Sequence, residues 1–241
     1  MAATTRAEPL LLVPGLMCDA AVWAPVIAGL GDAADGHVVD HGRASDLPTM
    51  ARQLLAAAPP RFALAGHSMG ARVALEVLRA APARVTRLAL LDTGLTPRPP
   101  GAAGADEARK RHALLAVARV HGVRAMAREW VRGMVHPDRL GDAALIESIV
   151  AMFERHSADV FEAQIGALLE RPDASGVLAG VAVPTLVLCG RQDTWAPLAQ
   201  HEAMRALAPG AVLEVIDDAG HMAPMEQPAA VAAALRRWLA R

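Results

Sequence analysis

The sequence has a single lysine among its 24 basic residues, Lys110, set in the charged run Glu107-Ala108-Arg109-Lys110-Arg111. A Walker-type phosphate loop needs a lysine directly after a glycine, and a pyridoxal Schiff base needs one in a sheltered pocket. This lysine suits neither. No G-x-G-x-x-G follows a predicted strand and no H-E-x-x-H occurs, which removes the dinucleotide fingerprint and the commonest zinc-hydrolase motif. Cys18 and Cys189 are the only cysteines, too few for a disulfide framework or a cysteine-based metal site. No cofactor or metal is therefore expected. Long apolar runs are also missing. The early run at residues 10–13 stops at Pro14, too short for a signal-peptide core, and nothing later is long enough to span a bilayer. Nor does charge of one sign dominate: 24 basic and 25 acidic residues leave a formal charge of −1. With the two signs interleaved and no basic stripe, neither nucleic acid nor an anionic membrane surface is an expected partner. A reduced, cytoplasmic setting is the default expectation.

What is present is a globular composition, 54% hydrophobic and 20% charged over 241 residues, enough for one large domain carrying an insertion. Apolar runs of strand length recur at residues 10–13, 37–40, 62–65, 88–91, 185–189 and 212–216. Helical spacing fills most of the gaps, at 20–30, 47–57, 68–81 and 198–208, and closes the chain at 229–239. Strands alternating with helices predict an α/β fold, a mostly parallel sheet of about six strands with helices on both faces. Ligands bind such sheets outside the carboxyl ends of the strands. The alternation breaks once. After the helix-hostile linker Thr96-Pro97-Arg98-Pro99-Pro100-Gly101, amphipathic stretches follow with no convincing strand. Met126, Trp130 and Met134 share one face at four-residue steps, as do Leu145, Ile149 and Phe153, and then Phe161, Ile165 and Leu169. Residues 1–95 and 180–241 thus read as a core domain and 96–179 as an inserted, all-helical cap over the site. Most of these apolar stripes serve packing.

The chemistry gathers around Gly66-His67-Ser68-Met69-Gly70. Apolar residues 62–65 read as a buried strand, and Val73, Ala74, Val77, Leu78 and Ala81 repeat as a helix face, so Ser68 sits on the turn between them. One reading is a helix cap. The other is G-x-S-x-G, a bend cramped enough to need glycine on both sides, which pushes a nucleophilic hydroxyl out of the sheet. A serine nucleophile requires a base, and the base requires an orienting group. His221 follows the last strand in Asp217-Asp218-Ala219-Gly220-His221-Met222-Ala223-Pro224 and is the expected base. His67 adjoins the serine, but neighbouring side chains on a sharp turn point apart, which gives it a structural role. His112, His121, His136 and His156 fall in the helical insertion and His201 in a predicted helix, solvated or partly packed. His37 and His41 flank the second strand without a partner pattern. The orienting acid is Asp193, in Cys189-Gly190-Arg191-Gln192-Asp193-Thr194-Trp195 after the penultimate strand, with Asp92 as its rival. Asp217 and Asp218 read as turn or helix-capping residues. The oxyanion hole would take the backbone N–H of Met69 and that of Leu16, with Met17 as the alternative to Leu16.

From residue 10 to its end the chain resembles the α/β-hydrolase superfamily of esterases, lipases and C–C hydrolases, especially its small bacterial members with a helical lid. Ser68, Asp193 and His221 come in that family's order. The resemblance implies a serine esterase that cleaves small to medium carboxylic esters through an acyl-enzyme. C–C bond hydrolysis, lactone opening and perhydrolysis on the same triad are alternatives, and a slow-turnover ligand sensor is an alternative of another class. Trp130, Met134, Phe153, Trp195 and Met222 are candidates for an apolar pocket around a small ester-like substrate. The chain departs from the family in three ways. The usual His-Gly after the first strand is Pro14-Gly15, which removes a side chain that braces the loop. The loop after the second strand is short, at residues 40–46. Few residues precede Leu10, so the family's opening antiparallel hairpin is expected to be absent. The exposed sheet edge this leaves would permit a monomer or a dimer paired through that edge.

Overall fold

The computed structural model describes residues 8–241. Six strands form one sheet among the described residues: β1 (Pro9–Val13), β2 (Asp35–Val38), β3 (Phe62–His67), β4 (Val85–Leu91), β5 (Thr185–Gly190) and β6 (Val212–Ile216). Every pairing is parallel, in the order β2-β1-β3-β4-β5-β6. β3 and β5 are buried along their whole length, because helices cover both faces and leave no solvent side for polar residues. On one face α1 (Ala24–Leu30) packs against α11 (Pro228–Leu239). On the other, α2 (Leu47–Ala57) packs against α3 (Met69–Ala80). The strand order reverses between β1 and β3, so the loops leaving their carboxyl ends diverge and open a crevice there.

The differences from the sequence reading have local causes. The expected helix at 20–30 is a 3-10 turn over Ala20–Val22 followed by α1. Pro25 lacks an N–H and fits only in the first turn of a helix, so α1 starts just before it. β2 covers Asp35–Val38 instead of residues 37–40, since its register is set by β1, with Leu10 opposite Gly36 and Leu11 opposite His37. Asp40 is released to accept the Gly42 N–H at 2.8 Å in a tight turn. The expected absence of an opening hairpin falls on residues 1–7, which lie outside the described residues.

Between β4 and β5 the chain is helical: α4 (Gly101–His121), α5 (Val123–Trp130), α6 (Ala143–Glu154), α7 (Ala158–Leu169) and α8 (Ser175–Ala179). α4 packs on α5 and α7, and α5 on α6. Ile149 and Phe153 of α6 and Phe161 and Ile165 of α7 bury their apolar faces in this layer. Burial of side chains this size contributes roughly 1.5–3 kcal/mol each, which explains how the excursion holds together beside the sheet. Met134 does not extend the α5 stripe. The α-helix ends at Trp130 and a 3-10 turn over Val131–Gly133 intervenes. α9 (Leu198–Leu207) and the short α10 (Ala223–Glu226) complete the chain order. No helix among the described residues is long and apolar enough to cross a membrane.

Candidate active site

Ser68 links β3 to α3 with φ 55° and ψ −117°. A non-glycine residue in such a conformation is strained by about 1–3 kcal/mol, so the surroundings must hold it. They do so by hydrogen bonds to the Ser68 backbone. Ser68 N–H donates to Leu91 O at 2.8 Å, Ala71 N–H to Ser68 O at 3.1 Å, and Thr93 Oγ1 to Ser68 O at 3.0 Å. The flanking glycines are required by packing. A Cβ on Gly66 would overlap the backbone of Gly70 and Ala71, and one on Gly70 would overlap the carbonyl oxygens of Val13 and Pro14. Ser68 does not use its side chain to cap α3. The hydroxyl is left free for another partner.

That partner is His221. Its Nε2 lies 2.8 Å from Ser68 Oγ, and its Nδ1 lies 2.8 Å from Asp193 Oδ2. Asp193 Oδ1 accepts the backbone N–H groups of Trp195 at 2.8 Å and Ala196 at 3.0 Å. Burial, the largest single influence, works against ionisation of Asp193, yet His221 and those two N–H groups together hold its carboxyl below the usual range. Asp92 does not reach His221's Nδ1. Its Oδ1 accepts Gly190 N–H at 2.8 Å, and among the described residues its Oδ2 has no hydrogen-bond partner. Burial and the charge of Asp193 push the Asp92 carboxyl well above its ordinary range. The two carboxylates thus occupy different electrostatic settings.

Glu226, which sequence reasoning left without a role, fixes the histidine loop. Its Oε1 accepts Gly220 N–H at 2.9 Å and Met222 N–H at 3.2 Å, on either side of His221, and its Oε2 accepts His136 N–H at 2.6 Å. His221 N–H itself donates to Met134 O at 2.6 Å. The loop is therefore tied to the helical excursion. A Cβ on Gly220 would stand 2.6 Å from that same Met134 oxygen, so only glycine allows the approach. His67 donates its Nε2–H to His221 O at 2.7 Å. Burial, then the charge of His221, push the His67 pKa down to about 3, which keeps the ring neutral. His201, expected to be solvated or partly packed, is fully buried, and its Nε2 accepts Thr93 N–H at 3.1 Å.

The loop after β1 passes directly against the serine, since a Cβ on Gly15 would lie 3.2 Å from Ser68 Cβ. His41 does have a partner: its Nε2–H donates to Pro14 O at 2.9 Å. It braces the loop for which the Pro14-Gly15 departure predicted no side-chain support. Gln164 of α7 adds a second brace by accepting Met17 N–H at 2.8 Å. Met17 N–H is therefore spent. Among the described residues, the Leu16 and Met69 amides donate to no acceptor, and both residues line the cavity beside Ser68.

That cavity, about 590 Å³, also contains Trp130, Trp195 and His221 in its wall. The two indoles stack at 5.6 Å between centroids, and Trp195 lies 5.0 Å from the His221 ring. Met134, Phe153 and Met222, expected in the pocket, are not in its wall. Phe153 packs behind Trp130 at 5.4 Å, and all three are buried. Among the described residues no three His, Cys, Asp or Glu side chains gather as a metal-binding group.

A nucleophile elbow after the third strand, with acid and histidine on later loops of a doubly wound sheet, defines the α/β-hydrolase class. The alpha/beta hydrolase family profile matches residues 7–234, and the chain belongs to that family. It is 31% identical over 251 aligned positions to a pimeloyl-[acyl-carrier protein] methyl ester esterase of Xanthomonas campestris pv. campestris, covering 96% of this chain and 94% of the relative. A thermophilic esterase from Thermogutta terrifontis, solved with malate bound, superposes with a TM-score of 0.83 at 28% identity, over 99% of this chain and 96% of that one. The enol-lactonase of Burkholderia xenovorans LB400 shares the fold, with a TM-score of 0.85 at 19% identity, over 99% and 94% of the two chains. Hydrolysis of a carboxylic ester by a serine hydrolase is the activity these relatives support.

Proposed function

We propose that the protein hydrolyses carboxylic esters of small to medium acids through an acyl-enzyme formed on Ser68. His221 removes the hydroxyl proton as Ser68 attacks the ester carbonyl, then returns it to the departing alcohol. Asp193 orients the imidazole and stabilises its protonated form. The Leu16 and Met69 N–H groups receive the oxyanion, a contribution of about 3 kcal/mol per donor. Water, activated by the same histidine, releases the acid. The helical excursion at 96–179 serves as a cap, with Trp130 and Trp195 as the apolar wall of the substrate site.

One observation carries the reading: the paired 2.8 Å contacts that run from Ser68 Oγ through His221 to Asp193. A fluorophosphonate probe tests it. The wild-type protein is expected to label and to turn over short nitrophenyl esters repeatedly, and Ser68→Ala is expected to do neither. Labelling without repeated turnover would favour a ligand sensor, and no labelling at all would end the proposal.

A further inference from the structure

The cavity wall around Ser68 mixes apolar and polar side chains, and one part of it is cationic. Arg72, Arg111, Arg171 and Lys110 all reach it, against two carboxyl groups, Glu107 and Asp92, and burial pushes Asp92 toward its neutral form. Glu107 is already engaged. Arg171 grips it with Nη1 at 2.7 Å and Nη2 at 2.9 Å, and Arg111 Nη2 lies 3.0 Å from it. Lys110 faces Asp106 at 2.8 Å. Arg72 is left over. Its Nη1 donates to Thr96 O at 3.1 Å, an acceptor it shares with Arg171 Nε at 3.3 Å. Among the described residues no carboxylate forms an ion pair with it. Two guanidiniums thus share Glu107, and the third has no carboxylate partner.

Arg72 is half-buried and its guanidinium has no counter-charge beside it, so an anion placed there would gain charge-assisted hydrogen bonds. Burial, then the nearby charge of Arg171, push Arg72 down to about 9. The placement is also telling. Arg72 follows Ser68 by four residues, about one helical turn along the same face, and both line one cavity. Gly94 lets two side chains close in on its backbone at the head of Arg72: a Cβ there would stand 3.4 Å from Arg72 Nη2 and 2.7 Å from Gln200 Oε1.

We propose that Arg72, flanked by Arg111 and Arg171, binds an oxyanion carried by the substrate, so that the preferred ester bears a carboxylate or a phosphate a few bonds from the scissile carbonyl. This substrate class rests on the ester-hydrolase reading above. The anion would complete the ion pairing of the wall and orient the ester over Ser68. A planar guanidinium suits both oxyanions, since each can accept two parallel N–H bonds.

Three methyl esters of similar length test the proposal: methyl hexanoate, monomethyl adipate and methyl 5-phosphonopentanoate, with methanol release as the readout. The expected wild-type kcat/KM for at least one charged ester exceeds that for the neutral one by about tenfold or more, the worth of one charge-assisted hydrogen bond. The charged ester that leads identifies the oxyanion. In Arg72→Gln the charged-to-neutral ratio collapses, chiefly through KM, and Arg72→Lys restores part of it. Gly94→Val, which crowds the head of Arg72 and keeps the arginine, gives the same collapse should Arg72→Gln fail to fold. No preference for either charged ester, with methyl hexanoate turned over, overturns the inference. If no ester is turned over, calorimetry on Ser68→Ala decides. Adipate binding that disappears in Ser68→Ala/Arg72→Gln sustains the anion site and sinks the ester-hydrolase reading alone. No adipate binding there overturns the anion site as well.

Discussion

Glu226 Oε2 accepts the backbone N–H of His136 at 2.6 Å, across 90 residues of sequence, while its Oε1 holds the amides on both sides of His221. One buried carboxylate thus joins the histidine loop to the helical excursion. Removing it strands three backbone donors at a site with little water. Each such donor costs about 1–3 kcal/mol. Glu226→Ala is expected to lose roughly 2 kcal/mol or more of stability in urea unfolding, and kcat should fall as His221 loses its alignment. A variant with the wild-type midpoint and wild-type kcat would contradict this positioning role.

Asp193 and Asp92 are separable by substitution. Asp193→Asn keeps the shape but removes the charge opposite His221 Nδ1, and kcat/KM should drop by about 10⁴-fold. Asp92→Asn keeps an acceptor for Gly190 N–H and should cost far less. Steady-state kinetics on a nitrophenyl ester reads both, and the reverse ranking would reassign the acid.

Four imidazoles, His41, His67, His156 and His201, have their pKa values lowered by burial, the largest influence on each. Their folded pKa values lie below the unfolded one, so the unfolded chain binds more protons in acid. Stability is therefore whole above about pH 6.5 and declines as pH falls below it. For His67 the decline continues toward its folded value of about 3, at up to roughly 1.4 kcal/mol per pH unit. Urea titrations from pH 7.5 to 5 should show this slope, and His67→Gln should reduce it. An unchanged slope in that variant would show that its titration is not linked to folding.

Gly70 lies where α3 meets the end of β1. In Gly70→Ala the added carbon meets the backbone oxygens of Val13 and Pro14, which have no rotamer to escape into. A loss of about 2–3 kcal/mol is expected, together with weaker fluorophosphonate labelling as the elbow shifts. Wild-type melting and labelling would mean that the two segments separate freely.

Much of the fold was legible because its rules are local. Helical and strand periodicities act over a few residues, so α2 falls on the residues its spacing indicated and β6 on its apolar run. The elbow was legible for the same reason: a serine between two glycines, after a buried strand and before a helix face, is a local pattern. The loops carrying Asp193 and His221 could be placed because each directly follows a strand, and parallel strands deliver their following loops to one edge of the sheet.

The bracing around the site was not legible. His41 reaches Pro14 across 27 residues, Gln164 reaches Met17 across 147, and Arg72 shares Thr96 O with Arg171. No spacing rule links such partners, because their meeting depends on how separate layers stack. The pocket shows the same limit. Trp130 and Phe153 look alike as bulky aromatics on amphipathic helices, yet one lines the cavity and the other is buried behind it. Sequence by itself determined the order of elements and which loops carry reactive groups, since torsional preference and turn chemistry act along the chain. Tertiary structure alone decided which side chains face the cavity and which hydrogen bonds hold it in shape, since those depend on distances through space between segments far apart along the chain.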